Sequence, residues 1–592
     1  MDKFKLNWPS CRFEVPEPIR KNVSFVLSVT TTCVIGAVII RKFTKSRKLN
    51  RILKDKRDSC REACKKLAEH LELNGLTLAE RNAILELSFE DLRQKLQDEE
   101  LQCIDVLHAY QSKAIQVNEH LNCIVEPIWE AEALALERDM STGRKGPLHG
   151  IPISVKENYF LEGYDCTGGM SAYLDLCTVT EENTLIKVLK KQGAIPFVRT
   201  NIPQSMMTYE CSNPIYGETK NPHNLARGPG GSSGGEGALI AAKGSLLGFG
   251  TDIGGSIRIP SHFCGVCGFK PTVGRLSKRN MLPFQAGQRL IPATGGPLAA
   301  DVDGLVMAMK SLLVPAMFDL DPSCPPIQFR NEIFESKRPL RIGFFIDNGY
   351  LRPVPACQRA VTFATEILQA KGHTIVNMDP PDIEECFELY LLSTFGDGGQ
   401  SFIEVMKDDQ IDQTLKLAYL GLILPQWLGT FGGWLMSKIG RDRMMYIITK
   451  CMMGPGSVHE YWKTAERIEN YRRKMQKKWK AKNIDVLLCP GFAFPAVHSG
   501  NVFNVLGGVT YTVLFNLLNY PTGSMPVTKV TAEDEAKMAD YPRKTAYEKA
   551  IRKDNVGSTG LPVNVQCAGL PFQEELVLRV MRDLEQGLKA PE

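Results

Sequence analysis

Residues 221–261 read NPHNLARGPGGSSGGEGALIAAKGSLLGFGTDIGGSIRIPS, and the reading of the whole chain turns on them. They hold two serines in glycine-rich turns, Ser232 in GGSSGGEG and Ser256 in TDIGGSIR. Glycine crowding admits positive φ and lets backbone come close to a bound group. Small residues ahead of a serine also leave successive N–H groups unshielded, as an oxyanion hole requires. One such loop alone is an ordinary flexible connection. Two close together, each ending on serine with an apolar segment between them, mark a site.

A serine nucleophile needs a base within hydrogen-bond reach. The motif around Ser232 matches G-x-S-x-G, but in an α/β-hydrolase that elbow follows directly on a buried strand. Here it follows a polar, proline-containing loop, so the elbow fits poorly. No Lys-Ser/Thr closes the glycines, which excludes a phosphate-binding P-loop. None of the nine histidines has a setting that singles it out; His149 and His262 lie nearest to the motifs. The remaining base is Lys156 in GIPISVKEN. A strand lysine ordinarily points to solvent, where, with a pKa of about 10.4, it is neutral roughly once in 2,500 at pH 7. An apolar strand leading into a glycine-lined cleft would supply the desolvation that lowers this cost.

Outward from the motif, strands and helices alternate from about residue 147. HGIPISVKENYF, AIPFVRTN, LRIGFFIDN, TIVNMD and IDVLLCPGF read as strands, with helices such as EENTLIKVLKKQG and a long polar one at 458–482 between them. This predicts one α/β domain with a predominantly parallel central sheet. Residues 41–125 read as helical, and Ser88 with Asp91 forms a capping box that opens one long helix reaching residue 121.

Residues 23–40, VSFVLSVTTTCVIGAVII, carry no charge. As a helix they would reach about 27 Å, enough to span a bilayer. They end in RKFTKSRK rather than a cleavage site, so an uncleaved anchor is expected, with the downstream chain in the cytosol. Residues 417–436, LAYLGLILPQWLGTFGGWLM, form a second apolar stretch, broken by Pro425, Gln426 and glycines and followed by Lys438, Arg441 and Arg443. It reads as a broken helix pair lying in a membrane interface. A buried core helix and a true span are the alternatives.

With 592 residues, 43% hydrophobic and 23% charged, the composition is that of a large globular protein. The net charge of +5 is too small to indicate nucleic acid. Seventeen scattered cysteines point to a reducing compartment. Cys264 and Cys267 lack a second CxxC or a His pair and read as packed thiols rather than zinc ligands. No metal and no cofactor are expected.

HGIPISVKEN, the GPGGSSGGEG…TDIGGSIRIPSHFCGVCGFKPT stretch and VLLCPG together resemble the amidase signature family. The resemblance implies an α/β fold with a large mixed, twisted central sheet covered by helices. It implies a catalytic Lys156, a first serine Ser232 preceded by a cis peptide bond, and a nucleophile Ser256. The amides of Ile253, Gly254, Gly255 and Ser256 would stabilise the oxyanion, with Met206 and Ser232 also at the substrate. SMMTYECSNPIYGETKNP, VTAEDEAKM and LPFQEELVLRVMRDLEQ extend the likeness to membrane-bound members. For these the implied substrates are long-chain N-acylethanolamines and primary fatty amides. By that alignment Met207 and Phe572 stand where larger aromatics flank the acyl channel, and Phe395 matches an aromatic there. The expected organisation is an anchor and basic linker at 1–60 and a catalytic domain at 61–592, with 413–445 as a membrane-facing cap. A single-pass endomembrane enzyme, of the endoplasmic reticulum or similar, and a homodimer are implied. A tRNA-dependent amidotransferase subunit of the same family and a non-catalytic membrane scaffold are the rival readings.

Overall fold

The computed structural model describes residues 17–590 apart from 175–178, 284 and 440–442, with backbone alone through residue 43. Two compact units result, Met1–Lys56 and Arg57–Glu592. A 58-residue helix, Glu17–Asn74, opens the described chain. The expected span at 23–40 falls where side chains lie outside the described residues. Among the described residues no helix is long and apolar enough to cross a membrane.

Thirteen strands follow among the described residues: β1 (Ile124–Pro127), β2 (Pro152–Lys156), β3 (Ile195–Thr200), β4 (Ser212–Asn213), β5 (Gly217–Glu218), β6 (Leu247–Asp252), β7 (Cys267–Lys270), β8 (Thr294–Ala299), β9 (Arg341–Phe344), β10 (Thr374–Asn377), β11 (Val486–Pro490), β12 (Thr522–Lys529) and β13 (Pro562–Ala568). β4 and β5 pair apart; the other eleven form one sheet in the order β1-β3-β2-β6-β8-β7-β12-β13-β11-β9-β10. The sheet is mixed, as the resemblance implied. The expectation of a predominantly parallel sheet is corrected: β2/β3, β2/β6, β9/β10 and β9/β11 run parallel, and the remaining described pairs run antiparallel. The strands legible in sequence all sit in these parallel groups. The antiparallel middle was hidden because its strands are rich in glycine and proline. β3, β6, β8 and β13 are buried at every position, so both faces of the sheet are covered.

The polar helix Val458–Lys482 has the expected limits. Thr464, Ile468, Tyr471, Met475 and Trp479 bury one stripe at three- and four-residue spacing, Ser457 caps its start by accepting from the Glu460 amide at 3.2 Å, and Asn483 ends it at φ 49°. The long helix expected from Ser88 is instead two, Phe89–Gln97 and Cys103–Leu121. Ser88 does cap the first, accepting from the Asp91 amide at 3.1 Å. The break comes at Glu99, whose φ of 61° no helix admits. The second start is capped by the Asp139 carboxylate, which accepts from the Cys103 and Ile104 amides at 2.6 and 3.0 Å. That cap lies far off in sequence and leaves no local signal.

Residues 417–436 form parts of two helices, Lys416–Ile423 and Gln426–Ile439, broken at Pro425 as expected. They are not a core element. Leu417, Trp427, Phe431 and Trp434 are 60%, 69%, 55% and 45% exposed. Lys438 is exposed; the side chains of Arg441 and Arg443 lie outside the described residues.

Candidate active site

β2 and β6 are parallel neighbours, with Ile153 opposite Leu247 and Val155 opposite Phe249. Their carboxyl ends therefore bring Lys156 beside Thr251. Such ends, where strand order changes, are where open α/β sheets place their sites. Every residue of β2 is buried, so the lysine has no route to solvent. Its Nζ donates to Ser232 Oγ at 2.7 Å and to Thr251 Oγ1 at 2.8 Å. Desolvation pulls its pKa down to about 7, against the opposing pull of nearby acidic groups that include Asp252, Glu236 and Glu157.

Ser232 is 2% exposed and follows a cis peptide bond from Gly231. Ser233 then starts the helix Gly234–Ala241. Its amide donates to the Ser256 carbonyl at 3.1 Å, and its Oγ accepts from the Thr251 amide at 3.3 Å. Ser233 thus ties the two glycine turns together. Among the described contacts, no hydrogen bond joins Ser232 Oγ to Ser256 Oγ. Glu236, one turn along the helix, accepts from Ser154 Oγ at 2.5 Å and Thr200 Oγ1 at 2.7 Å, and burial pushes its carboxyl up to about 7.

The turn carrying Ser256 is held from below by Asp252. Its carboxylate accepts from the Gly255 amide at 2.8 Å, the Ile257 amide at 3.1 Å, Asn516 Nδ2 at 2.9 Å, and Arg258 Nε and Nη2 at 3.0 Å each. Burial alone would raise this carboxyl; the Arg258 guanidinium overcomes that and holds it well below the usual range. The expected four-amide oxyanion set is corrected here, because the Gly255 N–H is committed to Asp252. Among the described contacts the amides of Ile253, Gly254 and Ser256 have no acceptor, so three donors remain. Gly255 has φ 123°, and a Cβ on it would meet Thr512 Oγ1 at 2.5 Å; only glycine fits.

Ser256 lines a cavity of about 330 Å³ with Met206, Met207, Ile253, Gly254 and Phe395. The rest of its lining is mostly apolar and includes Leu417, Ala418 and Gly421 of the exposed helix pair. Glu210 also lines it, accepting from the Gly500 amide, its carboxyl raised by burial to about 7. The expected channel residue Phe572 is not part of the described wall. It sits in a turn after β13, its amide donating to Thr272 Oγ1 at 2.9 Å and its carbonyl accepting from Arg330. His149 and His262 serve elsewhere. His149 Nε2 lies 3.6 Å from Cys103 Sγ. His262 is fully buried between the Phe494 carbonyl and the Asn564 amide, and burial pulls its pKa to about 4. Cys264 and Cys267 are buried free thiols.

Sequence reading brought out the lysine and both serines. It missed Thr251, Glu236 and the Asp252–Arg258–Asn516 cluster. Asp252 and Arg258 did leave a sign, since opposite charges flank the small residues of the Ser256 turn. Asn516 left none.

The family model described as Amidase matches residues 105–578. Fatty-acid amide hydrolase 1 of Sus scrofa is 39% identical over 569 residues, covering 94% of this chain and 96% of that one. Fatty acid amide hydrolase 1 of Caenorhabditis elegans is 37% identical, covering 88% and 91%. A solved structure described as fatty acid amide hydrolase superposes with a TM-score of 0.76 at 26% identity, covering 93% of this chain and 95% of that one.

Proposed function

The chain belongs to the amidase family and is an amide hydrolase, and from that premise we propose that it cleaves long-chain fatty acid amides through an acyl-enzyme on Ser256. The substrates are N-acylethanolamines and primary fatty amides, and the products a free fatty acid and an amine. One observation carries this reading: Ser256 opens on an apolar cavity while the turn behind it adjoins a desolvated lysine–serine pair.

Neutral Lys156 takes a proton from Ser232, which takes one from Ser256. Ser256 Oγ then attacks the amide carbonyl, and the amides of Ile253, Gly254 and Ser256 receive the oxyanion. Ser232 returns a proton to the leaving nitrogen, since an unprotonated amine leaves poorly. Water cleaves the acyl-enzyme by the reverse relay. The missing Ser232–Ser256 hydrogen bond forms when substrate fills the cavity, because catalytic contacts are often long before binding. Each buried methylene contributes about 0.8 kcal/mol, so the cavity selects long chains over short ones.

The exposed helix pair faces lipid, and the acyl chain enters beneath it. Residues 23–40 anchor the chain by a single pass in an endomembrane, with the catalytic domain cytosolic, and two copies form a homodimer. With residues 1–45 deleted, the protein should stay active and still float with liposomes. Trp427→Glu with Trp434→Glu should abolish most of that flotation, because each inserted side chain contributes about 1.5–3 kcal/mol. Flotation indifferent to both changes removes the lipid-facing role.

The reaction itself is tested with the purified chain alone in detergent. A long-chain primary amide should release ammonia and fatty acid in equal amounts, and a fluorophosphonate adduct should map to Ser256. Hydrolysis that requires a partner subunit favours the amidotransferase reading. An adduct on Ser232 alone overturns the assignment of the nucleophile. Ser233→Ala is the control and should be mild.

A further inference from the structure

We infer that His70, His108 and Glu132 form a binding site for one divalent transition-metal ion of the zinc class. The three come from different helices. His70 lies in the last turns of Glu17–Asn74, His108 within Cys103–Leu121, and Glu132 in the first turn of Ala131–Asp139. Both imidazoles direct Nε2 at one oxygen: His70 Nε2 is 2.8 Å and His108 Nε2 is 3.0 Å from Glu132 Oε1. All three ligand atoms lie within 4.8 Å of one another. The rings stand 6.2 Å apart at 84°, so two nearly perpendicular planes converge on a single point.

Two imidazole nitrogens and a carboxylate oxygen are donors that suit Zn²⁺, with bonds of about 2.0–2.2 Å. Tetrahedral bonds of that length place ligand atoms about 3.3 Å apart. The site is therefore a few tenths of an ångström too tight as it stands. The room to open exists, because the side chains of His70 and Glu132 are 40% and 32% exposed, while that of His108 is 10% exposed and fixes the third corner. The open side leaves the fourth position to water. Coordination uses the Nε2 lone pair of each neutral imidazole, with its proton on Nδ1, so the ion replaces the two hydrogen bonds. The bound ion ties the end of the first helix to the two helices beside it. Ligands at 70, 108 and 132 follow no short motif, so no local signal marks a metal site along the chain.

The test uses the full chain in detergent, its affinity tag removed, stripped with chelator and dialysed. Titration calorimetry should show one Zn²⁺ per chain, and Co²⁺ should give the visible bands of a tetrahedral ion. His108→Asn and Glu132→Gln should each weaken zinc at least about tenfold, since even outer-sphere partners cost about 10–100-fold. Fluorophosphonate labelling reports that each variant is folded, and His70→Asn, at the more exposed histidine, repeats the test with the least disturbance to packing. Absence of saturable zinc uptake by the folded wild type overturns the site, leaving two hydrogen bonds and nothing more. Zinc affinity unchanged in all three variants overturns it equally.

Discussion

Lys156→Ala should lower kcat/KM for a long-chain primary amide by about 10³–10⁴-fold at pH 7, the upper part of what a positioned base contributes. The wild-type lysine, brought to about 7 by burial, is neutral in a large share of molecules at that pH. The sign of the pH dependence follows. The base form is needed, so wild-type kcat/KM rises as pH increases to about 7 and then levels. In the variant Ser232 loses its partner at 2.7 Å and hydroxide must do the work. The profile should then keep rising through pH 9. The loss should be larger for amides than for matched esters, whose leaving alkoxide needs the returned proton less. Stability moves the other way. Between about pH 7 and 10.4 the unfolded chain binds a proton that the native lysine does not, so Lys156 costs stability there, most at the low end. Lys156→Met should therefore raise Tm at pH 7 while removing activity, and the gain should shrink as pH approaches 10. Identical pH limbs in wild type and variant would sink the lysine as base.

How far this arrangement could be read beforehand depends on where its signals lay. Val458–Lys482 was legible to the residue because its stripe and both caps are local. Lys156, Ser232 and Ser256 were legible because each sits in its own short motif. The middle of the sheet was not. TGGPLA of β8 and TGSMPVTK of β12 carry residues that ordinarily disfavour strands, and they persist because burial between covering layers overrides propensity. The two parallel groups gave the alternation that sequence reading extended, wrongly, to the whole sheet. The commitment of the Gly255 amide was invisible for a related reason, since it depends on how the Asp252 carboxylate is turned. Alignment gives Phe572 a position and no direction; the residue has φ 63°, its backbone bonds to Thr272 and Arg330, and it is not part of the described cavity wall.

The same carboxylate gives the second large effect. Asp252→Asn should destabilise the fold by about 3–5 kcal/mol, because it leaves the buried Arg258 guanidinium without its counter-charge. It should also lower kcat by about 10²–10³-fold, the range for a lost oxyanion donor, since Asp252 holds the Gly255 and Ile257 amides on either side of Ser256. The two consequences can be separated. Asp252→Leu with Arg258→Met removes both charges together, and replacing a buried pair by apolar residues of like volume is often nearly neutral. Recovery should be partial, because Asn516, Gln566 and the Thr512 carbonyl also lose the bonds they make to this pair, at about 1–3 kcal/mol for each left buried and unsatisfied. Thermal melts should place the double variant above Asp252→Asn. Its turnover should stay low, with KM moved far less than kcat, because the apolar pair restores packing and leaves the turn unheld. Should turnover return in step with Tm, Asp252 would be a scaffold residue only. Should it stay low in a well-folded protein, the aspartate acts by positioning the three free amides, and the geometry of the turn sets the rate.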